Sequence, residues 1–333
     1  MKVLRHSLSS QAIVNITDVI KSLELGFGPN VSLFEQTFKD FSKKEHNVAV
    51  NSASAAAFMI FAYLRESFGE CDVYTPSLGF TSPVWAAKHF GHEVIFVDVN
   101  DDLLFDCDDY LKKSELPKWR YSTGRRKIIM PVLYGGVSTI PNWKLRGDEI
   151  VVIDAAHCPT PTLYGDFVFF SFHPTKPICS SDGGMISTDH DSAAEYFRNY
   201  RNFGRVNNLN GYDIVQEGFK FYMNNLNATI ALESLKDYYK NLEIRRNNFI
   251  LIKNNFNGRF TEHDVNSSYY FASLVTEEAN KINTKYELTV HYPLLHLAMY
   301  YNKQKLVNTE KLHSKIVNLP LYDLDTYNSR SWR

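Results

Sequence analysis

The sequence predicts an α/β protein in two parts: a large domain on a mostly parallel mixed sheet, then a smaller C-terminal α+β domain. Three observations lead there. Strand-like apolar runs alternate with amphipathic helical patterns over the first 220 residues, longer helical patterns follow, and 333 residues suffice for two cores.

Apolar runs rich in β-branched residues at 47–50, 73–75, 94–99, 128–134, 150–153 and 167–172 read as buried strands. Between the first two, Ala57, Ile60, Phe61, Leu64 and Phe68 recur at helical spacing, and Gly69 is a natural stop. Strand and helix in alternation imply parallel pairing. After about residue 220 the pattern changes to helix at 226–242 and then to strand-like runs at 269–275 and 286–292. The expected division is 1–220 for the large domain, including an N-terminal helical segment, and 221–333 for the small one. In open α/β sheets ligands sit at the carboxyl ends of the strands, so the residues just after each run are the ones to inspect.

Composition narrows the function. Apolar residues make up 44% of the chain and charged residues 22%, the balance of an ordinary globular protein. Lysine plus arginine (36) and aspartate plus glutamate (37) nearly cancel, so no overall field would gather nucleic acid or an anionic membrane. Cys71, Cys107, Cys158 and Cys179 are scattered without a C-x-x-C pair, which indicates reduced thiols and neither a metal site nor a disulfide framework. No run approaches the roughly 18 apolar residues of a membrane span, and the first residues lack the apolar core of a secretion signal. A cytoplasmic location is expected.

Several segments carry candidate chemistry. Asn51 through Ala57 follows a strand and opens a helix, leaving backbone N–H groups beside small side chains; it reads either as a phosphate cradle or as plain helix capping by Ser52 or Ser54. Asp154 ends an apolar run and His157 follows it. An aspartate there can pair with a cationic heterocycle, or simply cap the next turn while the histidine is an ordinary one. Lys176 lies between Pro174 and Pro177 after the strand-like run at 167–172. A lysine buried at such a place has a lowered pKa and acts as a nucleophile toward carbonyls; a solvated loop lysine is the alternative.

The order of these segments resembles the DegT/StrS family of sugar aminotransferases, within the fold-type I enzymes of pyridoxal 5′-phosphate (PLP), and the resemblance covers nearly the whole chain. Gly28-Pro29-Asn30-Val31 with Phe34-Glu35 is similar to the family's G-x-x-V…F-E signature, and Ser52-Ala53-Ser54-Ala55-Ala56 to its S-G-T-A-A phosphate loop. Pro76-Ser77 with Gly79-Phe80-Thr81 resembles P-S-x-T-F, Asp154-Ala155-Ala156-His157 resembles D-x-A-[QH], and Ser171 through Lys176 resembles S-F-x-x-x-K. Gly218-Phe219-Lys220-Phe221-Tyr222-Met223 resembles G-[YF]-[NK]-[YF]-x-M, and His291 through His296 resembles the small-domain Y-P-x-x-H segment, to which a structural role is given. The chain departs from the pattern with Ala53 for glycine, Ser54 for threonine, Asp182 for glutamate and Tyr222 for arginine.

The resemblance implies an aspartate aminotransferase-like fold and a set of roles. Lys176 is the Schiff-base lysine, Asp154 the partner of the pyridine nitrogen, and His157 a neighbour of the ring hydroxyl. Phe80 stacks on the ring, while Ala53, Ser54 and Ser171 hold the phosphate. Lys220 reaches the neighbouring subunit's site, which makes the protein a homodimer with shared sites. The implied reaction moves an amino group from L-glutamate, by way of pyridoxamine phosphate, to C3 or C4 of a nucleotide-linked keto-deoxysugar in amino-sugar or polysaccharide biosynthesis. Rival readings are a PLP-dependent sugar dehydratase, which has histidine in place of Lys176, another fold-type I enzyme using Arg201 or Arg205 for a substrate carboxylate, and a non-catalytic regulator. A nicotinamide dehydrogenase is set aside because no G-x-G-x-x-G follows an early strand.

Overall fold

The structure is a computed structural model that describes residues 9–115, 124–138, 147–160, 164–279, 282, 292–298 and 304–321. Its centre is a seven-stranded sheet of β1 (His46–Val50), β2 (Cys71–Pro76), β3 (Glu93–Val97), β4 (Arg126–Ile129), β5 (Ile150–Asp154), β6 (Phe167–Ser171) and β7 (Gly184–Thr188). The spatial order is β1-β7-β6-β5-β4-β2-β3. β2 to β6 pair in parallel, while β7 runs antiparallel to both β6 and β1. β1 therefore points the same way as β6, and every strand except β7 ends at one edge.

Successive side chains of a strand face opposite sides, and the core divides accordingly. Val48, Val50, Val152, Phe167 and Phe169 pack with α3 (Ala53–Phe68) on one face. Ala49, Val151, Ile153, Val168 and Phe170 pack on the other, against α2 (Pro29–Ser42) and α7 (Asn225–Lys236). α3 starts where Ser52 accepts a hydrogen bond from the Ala55 N–H, and stops at Gly69, whose φ of 72° suits glycine.

The expected strand at 128–134 is shorter in the structure. β4 ends at Ile129, Pro131 has no N–H to give a ladder, and Tyr134–Gly136 form a 3-10 turn with Gly135 at φ 67°. The helical pattern at 226–242 is two helices, α7 and α8 (Tyr238–Asn255), parted at Asp237. The run at 286–292 lies, apart from Tyr292, outside the described residues, as does His291.

Beside the large sheet lie α1 (Ser10–Ser22), α5 (Cys107–Glu115), α6 (Asp191–Tyr200) and the antiparallel pair β8 (Arg205–Asn208) and β9 (Gly211–Ile214). A three-stranded antiparallel sheet of β10 (Arg259–Phe260), β11 (Phe271–Val275) and β12 (Ile316–Pro320) carries its own core with Phe249 and Ile252 of α8. α7 does not belong to that core. Ala228, Ala231 and Leu232 pack with the large sheet, as do Tyr238 and Leu242 at the start of α8. α8 thus joins the two cores along its length.

Candidate active site

Parallel strands bring their ends together, and the expected residues fall along that edge. Asp154 closes β5, Ser171 closes β6, Phe80 follows β2 as the N-cap residue of α4 (Thr81–His89), and Ala53 opens α3 after β1. Gly184 at the start of β7 is paired with both Val50 and Ser171. A Cβ on Gly184 would stand 2.6 Å from the Ser52 carbonyl carbon and 2.7 Å from the Ala53 nitrogen. The absent side chain is what lets the entry of α3 lie against β7.

The first N–H groups of a helix have no acceptor inside it. Ser52 takes that of Ala55, which leaves the Ala53 and Ser54 N–H groups facing outward from the start of α3. The Ser54 hydroxyl donates to Ser82 at 2.8 Å, so the starts of α3 and α4 meet. Two helix N-termini side by side form a favourable place for an anion.

Lys176 follows β6 in a turn closed by its N–H donating to the His173 carbonyl at 2.8 Å. It is 8% exposed, Asp154 4% and His157 6%, so all three are withdrawn from water. Burial pushes the Lys176 ammonium down to about 7, and the Asp154 charge opposes that shift. Burial likewise raises the Asp154 carboxyl to about 6, against donation from the Ala156 N–H and the charge of Lys176. For His157, burial first and Lys176 second push protonation well below the ordinary range, so the ring is neutral. Each charge cancels part of the other's desolvation cost, and neither does so fully.

Aromatic rings wall this group. The Lys176 ammonium lies 4.6 Å from the centroid of Tyr270, whose ring is also 4.5 Å from that of His157. The Tyr270 hydroxyl donates to Thr175 at 3.3 Å. On the other side, Tyr292 stacks on His157 and meets Phe80 edge-on at 6.2 Å. Phe80 itself is 56% exposed, with its ring open to a ligand.

The remaining expected residues lie apart from this group. Lys220 is exposed and its ammonium sits 5.7 Å over the Tyr222 ring, although its carbonyl accepts from the Asn51 side chain at 3.2 Å, close to the end of β1. Arg201 is tied inside the protein: it pairs with Glu35 and donates to the Ala49 carbonyl at 2.6 Å, while the Ala49 N–H donates to Glu35 at 2.8 Å. Arg205 lies against the rings of Phe203 and Tyr212. The structural use of Arg201 removes it as an anchor for a substrate carboxylate and gives a reason for glutamate after phenylalanine in α2.

A sequence profile of the DegT/DnrJ/EryC1/StrS aminotransferase family matches residues 7–328. The chain belongs to this family. As a member it is a PLP-dependent aminotransferase, and its fold is that of the fold-type I enzymes. It is 27% identical over 360 aligned positions to the spore coat polysaccharide biosynthesis protein SpsC of Bacillus subtilis, spanning 95% of this chain and 90% of SpsC. Its fold matches NtdA of Bacillus subtilis with bound PMP at a TM-score of 0.78 and 25% identity, covering 95% of this chain and 78% of that one. It matches Helicobacter pylori PseC, an aminotransferase involved in pseudoaminic acid biosynthesis, at a TM-score of 0.84 and 18% identity, covering 98% and 95%.

The residues present suit PLP. The edge offers a buried amine near neutrality, a carboxylate beside it, helix N-termini for a phosphate, and a His157 Nδ1 atom buried without a hydrogen-bond partner among the described residues. An orphaned polar atom in a site otherwise well paired points to a ligand atom that completes it. Tyr270, Tyr292, Ser82 and the close approach at Gly184 were not legible as site features. The tyrosines read as core or strand residues, and only the Gly183-Gly184 pair left a mark in the sequence.

Proposed function

We propose that this aminotransferase moves an amino group from L-glutamate to a nucleotide-linked keto-deoxysugar, at C3 or C4, in amino-sugar biosynthesis. The observation that carries the reading is the burial of Lys176 beside Asp154, which holds its amine near neutrality. A lysine in this place favours amino transfer over the dehydratase chemistry expected of a histidine. The names of SpsC and PseC, one tied to polysaccharide and one to pseudoaminic acid biosynthesis, support a sugar substrate.

Bound PLP supplies an electron sink that makes the Cα–H of an amino acid acidic. The chain does the rest. Asp154 would keep a proton on the pyridine nitrogen, and His157 would meet the ring hydroxyl. Phe80 would cover the ring face, and the Ala53 and Ser54 N–H groups with the Ser54 and Ser171 hydroxyls would hold the phosphate. The neutral Nζ of Lys176 would take the proton from Cα of the donor and pass it to C4′ of the cofactor, and with the acceptor it would carry a proton the other way, from C4′ to the sugar carbon that receives the amine. The partner subunit's Lys220 completes the site of a homodimer, consistent with its exposed ammonium at the sheet edge.

Among the described residues no helix is long and apolar enough to cross a membrane, and the four cysteines are buried and unpaired. Those thiols support a reducing, cytoplasmic setting. We also place the start of the smaller domain within α8, because α7 packs with the large sheet.

The test is the visible spectrum of the protein with PLP, then with L-glutamate, beside Lys176→Ala. A yellow chromophore that bleaches with glutamate and is absent from the variant supports the reading and opens a screen of keto-sugar nucleotides. Binding without bleaching removes L-glutamate as donor, and absence of the chromophore from the wild type removes Lys176 as the reacting amine.

A further inference from the structure

Tyr292 lies far along the chain from the strands that carry Asp154 and Lys176, yet it reaches their site. Its hydroxyl is 3.2 Å from Nε2 of His157, and the two rings stack 5.8 Å apart at 23°. Its backbone is anchored: the His313 Nε2–H of α9 (Val307–His313) donates to the Tyr292 carbonyl at 2.9 Å. No other hydrogen bond holds its hydroxyl among the described residues.

A neutral imidazole has one donor and one acceptor nitrogen, and which is which depends on its partners. A phenol is a far stronger acid than a neutral imidazole N–H, so the phenol is the donor in such a pair. With Nε2 accepting from Tyr292, the ring proton sits on Nδ1, the atom left buried and unpaired. The opposite tautomer leaves more unmet: Nδ1 would be an acceptor without a donor, and the phenol O–H would lack a described acceptor.

We propose that Tyr292 is a positioning residue whose hydroxyl fixes His157 as the Nδ1–H tautomer, so that the site presents a neutral N–H donor to a ligand oxygen. The tautomer follows from the protein's own contacts. That the oxygen is the ring hydroxyl of the cofactor rests on the function proposed above. Phe80, which Tyr292 also touches, ties the same side chain to the expected ring-stacking position.

The experiment is imidazole 15N NMR of the histidine-labelled protein, before and after loading with PLP, with His157 identified by the signals missing from His157→Gln. The expected wild-type result is a protonated Nδ1 and an unprotonated, hydrogen-bonded Nε2. In Tyr292→Phe the Nε2 signal shifts and the Nε2–H tautomer becomes populated, and the visible band of the PLP-loaded protein moves. A wild-type His157 with its proton on Nε2 overturns the proposal, whether or not the variant folds. So does a tautomer unchanged in Tyr292→Phe. Failure of the PLP reading shows separately, as a wild type that forms no yellow chromophore while its apo tautomer is still read.

Discussion

The ammonium of Lys176 lies 4.6 Å from the ring centroid of Tyr270, so the amine proposed to react, just past β6 of the large sheet, is roofed by the residue that precedes the small sheet's central strand. The contact has two opposing effects. The π face favours the charged amine, while the exclusion of water disfavours it, and burial is the dominant influence on Lys176.

Opening that roof therefore raises the lysine's pKa. In Tyr270→Ala, water reaches Nζ and its protonation moves from about 7 toward the ordinary 10.5. At neutral pH less of the amine is free to react with PLP, and chromophore formation slows by about tenfold for every tenfold gain in the amine's proton affinity. Tyr270→Phe keeps the roof and its rate stays close to wild type. Stopped-flow absorbance across pH checks both, and a Tyr270→Ala rate equal to wild type at neutral pH sinks the argument.

The same two groups give the apo protein a particular pH dependence. Between pH 3.8 and about 6 the folded protein holds a proton on Asp154 that the unfolded chain has released, so stability falls as pH rises. Between about 7 and 10.5 the unfolded chain holds a proton that folded Lys176 has released, so stability rises with pH. Lys176→Ala lacks the rising limb. The stability of wild type relative to this variant should grow by on the order of a few kcal/mol over that window, measured by urea unfolding without PLP.

Gly184 offers a steric test. Its added Cβ would meet backbone atoms of Ser52 and Ala53, which cannot swing away, whereas a Cβ on Gly183 meets the flexible end of the Met223 side chain. Gly184→Ala should cost about 1–3 kcal/mol and weaken PLP binding by displacing the start of α3, as read by denaturation midpoint and PLP titration. Gly183→Ala should lose less on both counts.

Much of this edge was readable because strand ends in a parallel sheet are marked by where apolar runs stop, and Asp154 and Lys176 each follow such a stop. β7 was not. Its residues Gly184–Thr188 carry no β-branched run, and the close approach that Gly184 allows to the start of α3 is a tertiary contact. The tyrosine walls were hidden for another reason: Tyr270 and Tyr292 meet Lys176 and His157 only through tertiary contact. Arg201 misled in the opposite direction, since a buried arginine serving Glu35 and an arginine awaiting a carboxylate look alike in sequence.

That buried pair has its own test. Arg201→Met leaves Glu35 without its cation in a confined place and should cost about 3–5 kcal/mol, while KM for L-glutamate in the folded protein stays as it was. A raised KM with intact stability would return Arg201 to the substrate site.

The proposed sharing of sites between subunits is testable by mixing. Lys176→Ala and Lys220→Ala each disable both sites of their own homodimer if Lys220 acts across the interface. In a mixed dimer both defects fall in one site and the other has the wild-type pair, so random mixing should restore about a quarter of wild-type turnover. If Lys220 serves the site of its own chain, each site of the mixed dimer carries one defect and mixing restores nothing. The carbonyl of Lys220 accepts from Asn51 just past the end of β1 while its ammonium lies over the Tyr222 ring, so the main chain is placed at the sheet edge and the charge points away from it.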